Sequence, residues 1–202
     1  MTAMAASPET PSIPPLTRIE TPRLTLMLAP PEAAPRVVAY QRENWEHLAR
    51  WTGPRASDEL SVANWRRRLE QFAADERAGI ALRLMLFPDR DLAGPVLGTV
   101  NFTQIFRGAF QACYLGYALD HRLEGRGLMR EALEAAIRHV FDVMKLHRIM
   151  VNYMPSNERS AALARRLGFV PEGIARDYLY IDGAWRDHVL TALTNPALTR
   201  PA

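Results

Sequence analysis

The run Arg122-Leu123-Glu124-Gly125-Arg126-Gly127-Leu128-Met129 sets two glycines and two arginines directly ahead of a stretch with helical period. Such a run can cradle phosphate. Gly125 and Gly127 admit backbone conformations and close approaches that a side chain would block. The first N–H groups of the following helix have no partner within it, and the helix dipole favours an anion beside them. Arg122 and Arg126 add cationic donors. The same residues also read as a plain helix-entry turn, and two glycines alone do not separate the two readings. The spacing is neither the G-x-G-x-x-G of a dinucleotide fold nor the G-K-[ST] of a P-loop.

Other reactive side chains are few. Cys113 is the single cysteine, so no internal disulfide and no cysteine-based zinc site can form. It alternates with Leu115, Tyr117 and Leu119, which reads as a small buried hydrophobe in a strand and not as a nucleophile. His147 and His188 have no His at metal-binding spacing and no Cys partner, so both read as structural or surface residues and no metal is expected. Arg66-Arg67-Arg68 lies in a helical pattern and reads as a solvated face, with no sequence-specific nucleic-acid role.

The chain of 202 residues is 48% hydrophobic, enough for one substantial core in a single domain. Its 25 Lys and Arg against 22 Asp and Glu leave a net charge of +3, which suits an anionic partner and equally an ordinary soluble protein. No apolar run reaches the ~20 residues of a membrane span, and the N-terminus lacks a secretory signal pattern. No membrane partner and a cytoplasmic location are therefore expected.

The elements around the loop follow from period and punctuation. Residues 1–16 are rich in Pro, Ala, Ser and Thr and read as a disordered tail; 17–196 form the domain, and 197–202 a C-terminal tail. Organised structure is expected to begin with a strand at 23–28, stopped by Pro30-Pro31. Helices follow at 32–50 and 58–77, the second capped by Ser57 or Asp58, with Trp51-Thr52-Gly53-Pro54 between them. Strands at 80–87, 97–106 and 112–120 read as an antiparallel meander. Beyond the loop, Leu128, Ala132, Ala135, Ala136, His139, Val140 and Val143 predict a helix over 127–144. A strand at 148–154, a short helix closing at Gly168 and two strands at 174–181 and 185–193 follow, the last pair joined by Asp182-Gly183. The fold class is α/β (α+β): a mixed, mostly antiparallel sheet with flanking helices.

The loop's Arg-x-x-Gly-x-Gly spacing resembles the acetyl-CoA pyrophosphate loop of the GNAT superfamily of N-acetyltransferases. So do Ala112-Cys113-Tyr114-Leu115-Gly116-Tyr117 before it and His147-Arg148-Ile149-Met150-Val151-Asn152-Tyr153-Met154-Pro155 after it. Asn157-Glu158-Arg159-Ser160, Leu167-Gly168-Phe169 and Ile181-Asp182-Gly183-Ala184-Trp185-Arg186-Asp187-His188 extend the likeness across roughly residues 18–195. Within the superfamily the chain most resembles the ribosomal-protein-alanine N-acetyltransferases, the RimJ/RimL group, and the RimJ branch in particular.

The resemblance implies a GNAT fold, acetyl-CoA as co-substrate and direct acetyl transfer. Strands 112–120 and 148–154 would splay, with pantetheine between them bonding to main-chain groups of Tyr117, Ala118 and Leu119. Arg122, Gly125, Arg126, Gly127, Leu128 and Met129 would hold the pyrophosphate, and Asn157 would contact the cofactor. Ser160 would meet the leaving thiolate; helix capping is the plainer role for Asn157 and Ser160. Gly116 is consistent with a bulge that frees backbone groups for the ligand. Trp45, Trp51 and Trp65 lie where relatives build part of the acceptor groove, and Trp51 and the Asp182-Gly183 hairpin would bound a peptide slot.

Attack on a thioester needs a neutral amine and hence a proton acceptor. Many relatives carry a glutamate two residues before the Gly-Tyr pair, where this chain has Tyr114. Asp177, Glu172 or Asp120 are the substitutes, acting through water, with Tyr114 itself in the site. An α-amine, of reference pKa about 7.7–8.0 against about 10.4 for lysine, makes this demand mild. The resemblance therefore implies acetylation of an N-terminal alanine α-amine on a small-subunit ribosomal protein, by a monomer or homodimer. A small-molecule amine acetyltransferase of the antibiotic or toxin type is the alternative, and a non-catalytic CoA-binding module associated with the ribosome ranks below both.

Overall fold

The computed structural model describes residues 16–54 and 60–198. The expected tails beyond those limits, and the Ser57 and Asp58 caps, lie outside the described residues. Strands β1 (Arg18–Glu20) and β2 (Leu24–Met27) lead into helices α1 (Ala34–Leu48) and α2 (Val62–Arg77). Strands β3 (Leu82–Pro88), β4 (Gly98–Phe106) and β5 (Ala112–Leu119) precede α3 (Leu128–Asp142). Then come β6 (Arg148–Tyr153), α4 (Glu158–Arg166), β7 (Val170–Ile181) and β8 (Ala184–Thr194). All eight strands join one sheet in the order β1-β2-β3-β4-β5-β6-β8-β7, antiparallel except between β5 and β6.

The sheet is apolar on both faces because helices cover both. Along β3, Leu82, Leu84 and Leu86 face the cluster that holds Leu133, Ala136 and Val140 of α3. The alternate residues Met85 and Phe87 pack with Val37 and Val38 of α1 and Trp65 and Leu69 of α2. A two-residue period thus divides one strand between two cores. On α3, burial of Met129, Ala132, Leu133, Ala136, Ile137 and Val140 follows the helical three-four spacing expected from the sequence.

Differences from expectation have local causes. β1 precedes the expected first strand; at three residues it is too short for an alternating pattern to register. Helix α2 starts later than read, with Ser61 as N-cap accepting from the Asn64 N–H at 3.4 Å. No bulge occurs at Gly116, which pairs in regular register with Asn101. The irregularity lies on β4 between Thr103 and Phe106, where Gln104 has φ 50°. On its other edge, β5 is left by its neighbour β6.

That departure makes the site. β5 and β6 pair only at Ala112–Tyr114 with Arg148–Met150, after which both strands run on without each other. β6 continues against β8, pairing Tyr153 with Val189. A V-shaped gap therefore opens beside 115–119, with one side of each strand's backbone unpaired by the sheet.

Candidate active site

The loop from 120 to 127 closes the mouth of that gap. Gly125 and Gly127 have φ 76° and 74°, the left-handed region that a β-carbon disfavours. Gly127 is also the N-cap of α3, so the amides of the helix's first turn are free to face an anion. Leu128 and Met129 send their side chains into the core, leaving only their backbone to the cradle. Arg23 steadies the assembly from outside: it donates to the Arg126 carbonyl at 3.0 Å and to Glu131 at 2.6 Å, and Thr21 also donates to Glu131 at 2.7 Å.

The two loop arginines have different employment. Arg122 turns to the protein, donating to Asp120 at 2.5 Å and to Glu43 at 2.6 Å. Its expected role as a phosphate cation thus gives way to an ion-paired, loop-shaping one. Arg126 is exposed, and its guanidinium has no hydrogen bond or ion pair among the described residues. It is the available cation. Asp120 is buried, and the bonds from Arg122 hold its carboxyl at about 2, against burial that acts the other way. A group so acidic and so fully engaged is a weak proton acceptor, which removes Asp120 from the base candidates.

Inside the gap, the Ser160 hydroxyl and the Tyr117 hydroxyl lie 2.8 Å apart. Ser160 belongs to the first turn of α4, whose N-cap Asn157 accepts the Ser160 N–H at 3.1 Å. Asn157 Oδ1 is therefore engaged in capping, while its Nδ2 has no hydrogen bond among the described residues. Burial pushes the Tyr117 phenol up, only partly offset by its bond to Ser160. The pair is a neutral, proton-bearing relay. Ala118 and Leu119 continue along the unpaired edge of β5.

Further back on β5, at its last pair with β6, burial and the neighbouring Tyr178 hydroxyl push the Tyr114 phenol up. Tyr178 accepts from Asn152 at 3.0 Å and stands 5.3 Å, ring to ring, from His188. His188 is buried, and its Nδ1 lies 3.0 Å from the Arg186 carbonyl. A carbonyl only accepts, so Nδ1 is the donor in this contact. Asn152, Tyr178 and His188 were not singled out for this chemistry by sequence reasoning. Lone polar residues in strand patterns carry no spacing signal.

The remaining carboxylates fall at different ends. Glu172 pairs with Arg148, at the closed end of the gap, remote from its mouth. Asp177 sits at the open end in an irregular stretch of β7, with φ 45° and its own N–H donating to Asp187 at 3.0 Å. Its carboxylate is exposed, with no partner among the described residues. Cys113 is fully buried and its thiol is pushed up to about 12 by burial, so it stays protonated and inert. The described residues hold no group of three or more side chains suited to a metal.

Two walls flank the open end. A β-carbon on Gly53, just past Trp51, would come within 3.7 Å of the Tyr180 carbonyl, so the turn after α1 abuts the β7–β8 hairpin. That hairpin turns at Asp182 and Gly183, both at positive φ, 49° and 72°. Tyr180 and Trp185 pack edge to face at 5.7 Å on its exposed side.

A sheet opened between two parallel strands, with an anion cradle at the mouth and a proton-bearing hydroxyl pair within, defines an acyl-CoA-dependent acyltransferase. Residues 23–170 match the acetyltransferase (GNAT) domain family, and the chain belongs to it. It is an N-acetyltransferase whose acetyl donor is acetyl-CoA. Over 186 residues it is 45% identical to the ribosomal protein uS5-alanine N-acetyltransferase of Escherichia coli, covering 92% of this chain and 94% of that one. Its fold matches the ribosomal-protein-S5-alanine acetyltransferase of Vibrio fischeri with a TM-score of 0.85 at 35% identity, over 91% of this chain and all of the other. RimJ of Mycobacterium smegmatis, solved with a CoA disulfide, matches with a TM-score of 0.80 at 26% identity over 92% and 89% of the two chains.

Proposed function

We propose that the enzyme acetylates the α-amine of an alanine-initiated protein, a small-subunit ribosomal protein. The carrying observation is the 45% identity, over nearly the full length of both chains, to an enzyme named for the alanine of ribosomal protein uS5. Such an acceptor implies a cytoplasmic location. Among the described residues no helix is long and apolar enough to cross a membrane.

The residues divide the reaction between them. Amides of Gly125 to Met129 and the Arg126 guanidinium hold the pyrophosphate, and the unpaired edge from Tyr117 to Leu119 takes the pantetheine amides. Acetyl-CoA supplies the acetyl group as a thioester. The neutral acceptor amine attacks its carbonyl carbon; a C–N bond forms and the C–S bond breaks. Ser160, backed by Tyr117, gives a proton to the departing thiolate. The amine's surplus proton leaves through water, with the Tyr114–Tyr178 pair where the strands part and Asp177 at the open end as the groups beside its path. Trp51, Asp182 and Gly183 bound the slot that admits an extended chain terminus.

The test is release of CoA thiol with a panel of acceptors. Alanine-initiated peptides acquire an acetyl group at the α-amine, and N-blocked peptides carrying only lysine do not. Preference for lysine side chains or for aminoglycosides sinks the N-terminal reading, and no CoA release with any acceptor points to a binding module.

A further inference from the structure

Helix α1 packs into the core and leads to the acceptor wall, and it also meets the cofactor loop at successive points. Asn44 is fully buried in α1. Its Oδ1 accepts the backbone N–H of His121 at 3.0 Å and lies 3.0 Å from that residue's Nδ1, while its Nδ2 donates to the Tyr40 carbonyl at 3.0 Å. Its neighbour Glu43 takes the Arg122 guanidinium at 2.6 Å. One turn on, His47 Nε2 lies 2.9 Å from Glu124 Oε1, and the other Glu124 oxygen is held by Arg159 of α4. Three residues of one helix face thus tie down His121, Arg122 and Glu124.

None of these ties uses a backbone N–H from 125 to 129. The grip fixes the segment that leads into the cradle and leaves the cradle's own donors free. That matters because the segment ends in two glycines, which lose more conformational freedom on ordering than other residues do. It matters also because Glu124 is an anion beside a site for anions, and His47 and Arg159 hold its carboxylate from two sides.

We propose that Glu43, Asn44 and His47 are positioning residues for the phosphates of acetyl-CoA: they pre-form the 121–126 loop from α1, so that binding does not have to order it. The inference rests on the reading of Gly125 to Met129 as the phosphate cradle. A pre-formed loop raises affinity by lowering the ordering cost of binding, and it leaves the chemical step untouched once the site is filled.

Titration calorimetry with CoA, together with amide hydrogen exchange over 121–127, tests this. His47→Ala weakens CoA about three- to tenfold and raises the KM for acetyl-CoA in parallel, with kcat within about twofold of the parent. His47→Gln, which keeps a donor for Glu124, restores most of the affinity. Asn44→Leu weakens CoA more strongly and speeds exchange of the loop amides in the free protein. Where Asn44→Leu does not fold, the His47 pair decides, since both its side chains are part-exposed and their loss leaves the core intact. Folded His47→Ala and Asn44→Leu proteins with parental CoA affinity overturn the proposal, as does a fall in kcat with the KM for acetyl-CoA unchanged. Gly127→Val separates the two levels. If it leaves CoA binding intact, the cradle itself is misplaced; if it abolishes binding while the α1 variants bind normally, only the α1 inference fails.

Discussion

The hydroxyl pair of Ser160 and Tyr117, 2.8 Å apart, is the most consequential contact in the gap. Ser160 reaches the gap from the first turn of α4, and Tyr117 from β5, so one hydrogen bond spans the gap's two sides. Ser160→Ala is expected to lower kcat about 10²-fold, with acetyl-CoA affinity nearly unchanged, and Tyr117→Phe to lower it less because the serine remains. Single-turnover kinetics with a fixed peptide checks this; parental kcat in the serine variant removes it from proton transfer. Cys113 offers the opposite forecast. A thiol with no exposure and a raised pKa packs and does not react, so Cys113→Ala keeps most turnover. Mass spectrometry that traps an acetylated Cys113 without acceptor, joined with an inactive alanine variant, overturns that.

Among the elements, the turn after α1 and the β7–β8 hairpin share one task. They converge at Gly53 and Tyr180, and the hairpin shows Trp185 to solvent at 60% exposure beside Tyr180. Exposed paired aromatics at the end of a cleft are placed for binding and add little to the core. Trp185→Ala is expected to raise the peptide KM several-fold and leave the KM for acetyl-CoA and the melting temperature near parental values; initial-rate kinetics with each substrate varied in turn distinguishes the two. What the sequence revealed about these elements depended on range. The loop at 122–129 was legible because its signal, two glycines and two arginines ahead of a helical period, is local. The Asp182-Gly183 turn was legible for the same reason. The parting of β5 from β6 was inferred from family resemblance, since no composition marks where two strands stop pairing. The hold of α1 on the loop joins residues 77 apart in sequence, as in Asn44 with His121 and His47 with Glu124, and no periodicity reports such a contact. Gly116 was misread because glycine in a strand suggests a bulge, while here it lines a gap that a neighbouring strand leaves open.

At the scale of the whole molecule, two helical layers on opposite faces of one sheet both reach the loop where the sheet opens. α1 reaches the loop from one side and α4 from the other, both through Glu124, and the β1–β2 turn braces it through Arg23. The enclosure this creates supplies hydroxyls in place of a strongly perturbed carboxylate, and that predicts the shape of the pH–rate profile. Asp120, held at about 2 by Arg122, is ionised and engaged throughout the working range. Tyr114 and Tyr117 are both raised by burial above a reference value of about 10, so they keep their protons through neutral and mildly alkaline pH. None of these carboxyl and phenol groups changes charge near neutral pH, and the acceptor amine does. A protonated amine has no lone pair to attack with, so kcat/KM rises about tenfold per pH unit below the α-amine pKa of about 8 and then levels. The rise does not turn down before about pH 10, because no proton donor in the site is lost earlier. Measurement of kcat/KM for an alanine-initiated peptide from about pH 6 to 10 tests both limbs, and a second peptide with a more acidic α-amine assigns the first. Its acid limb shifts down with that amine. A limb that stays in place belongs to an enzyme group and restores a dedicated base; a fall below about pH 9 means that a phenol in the gap ionises far more readily than its burial allows.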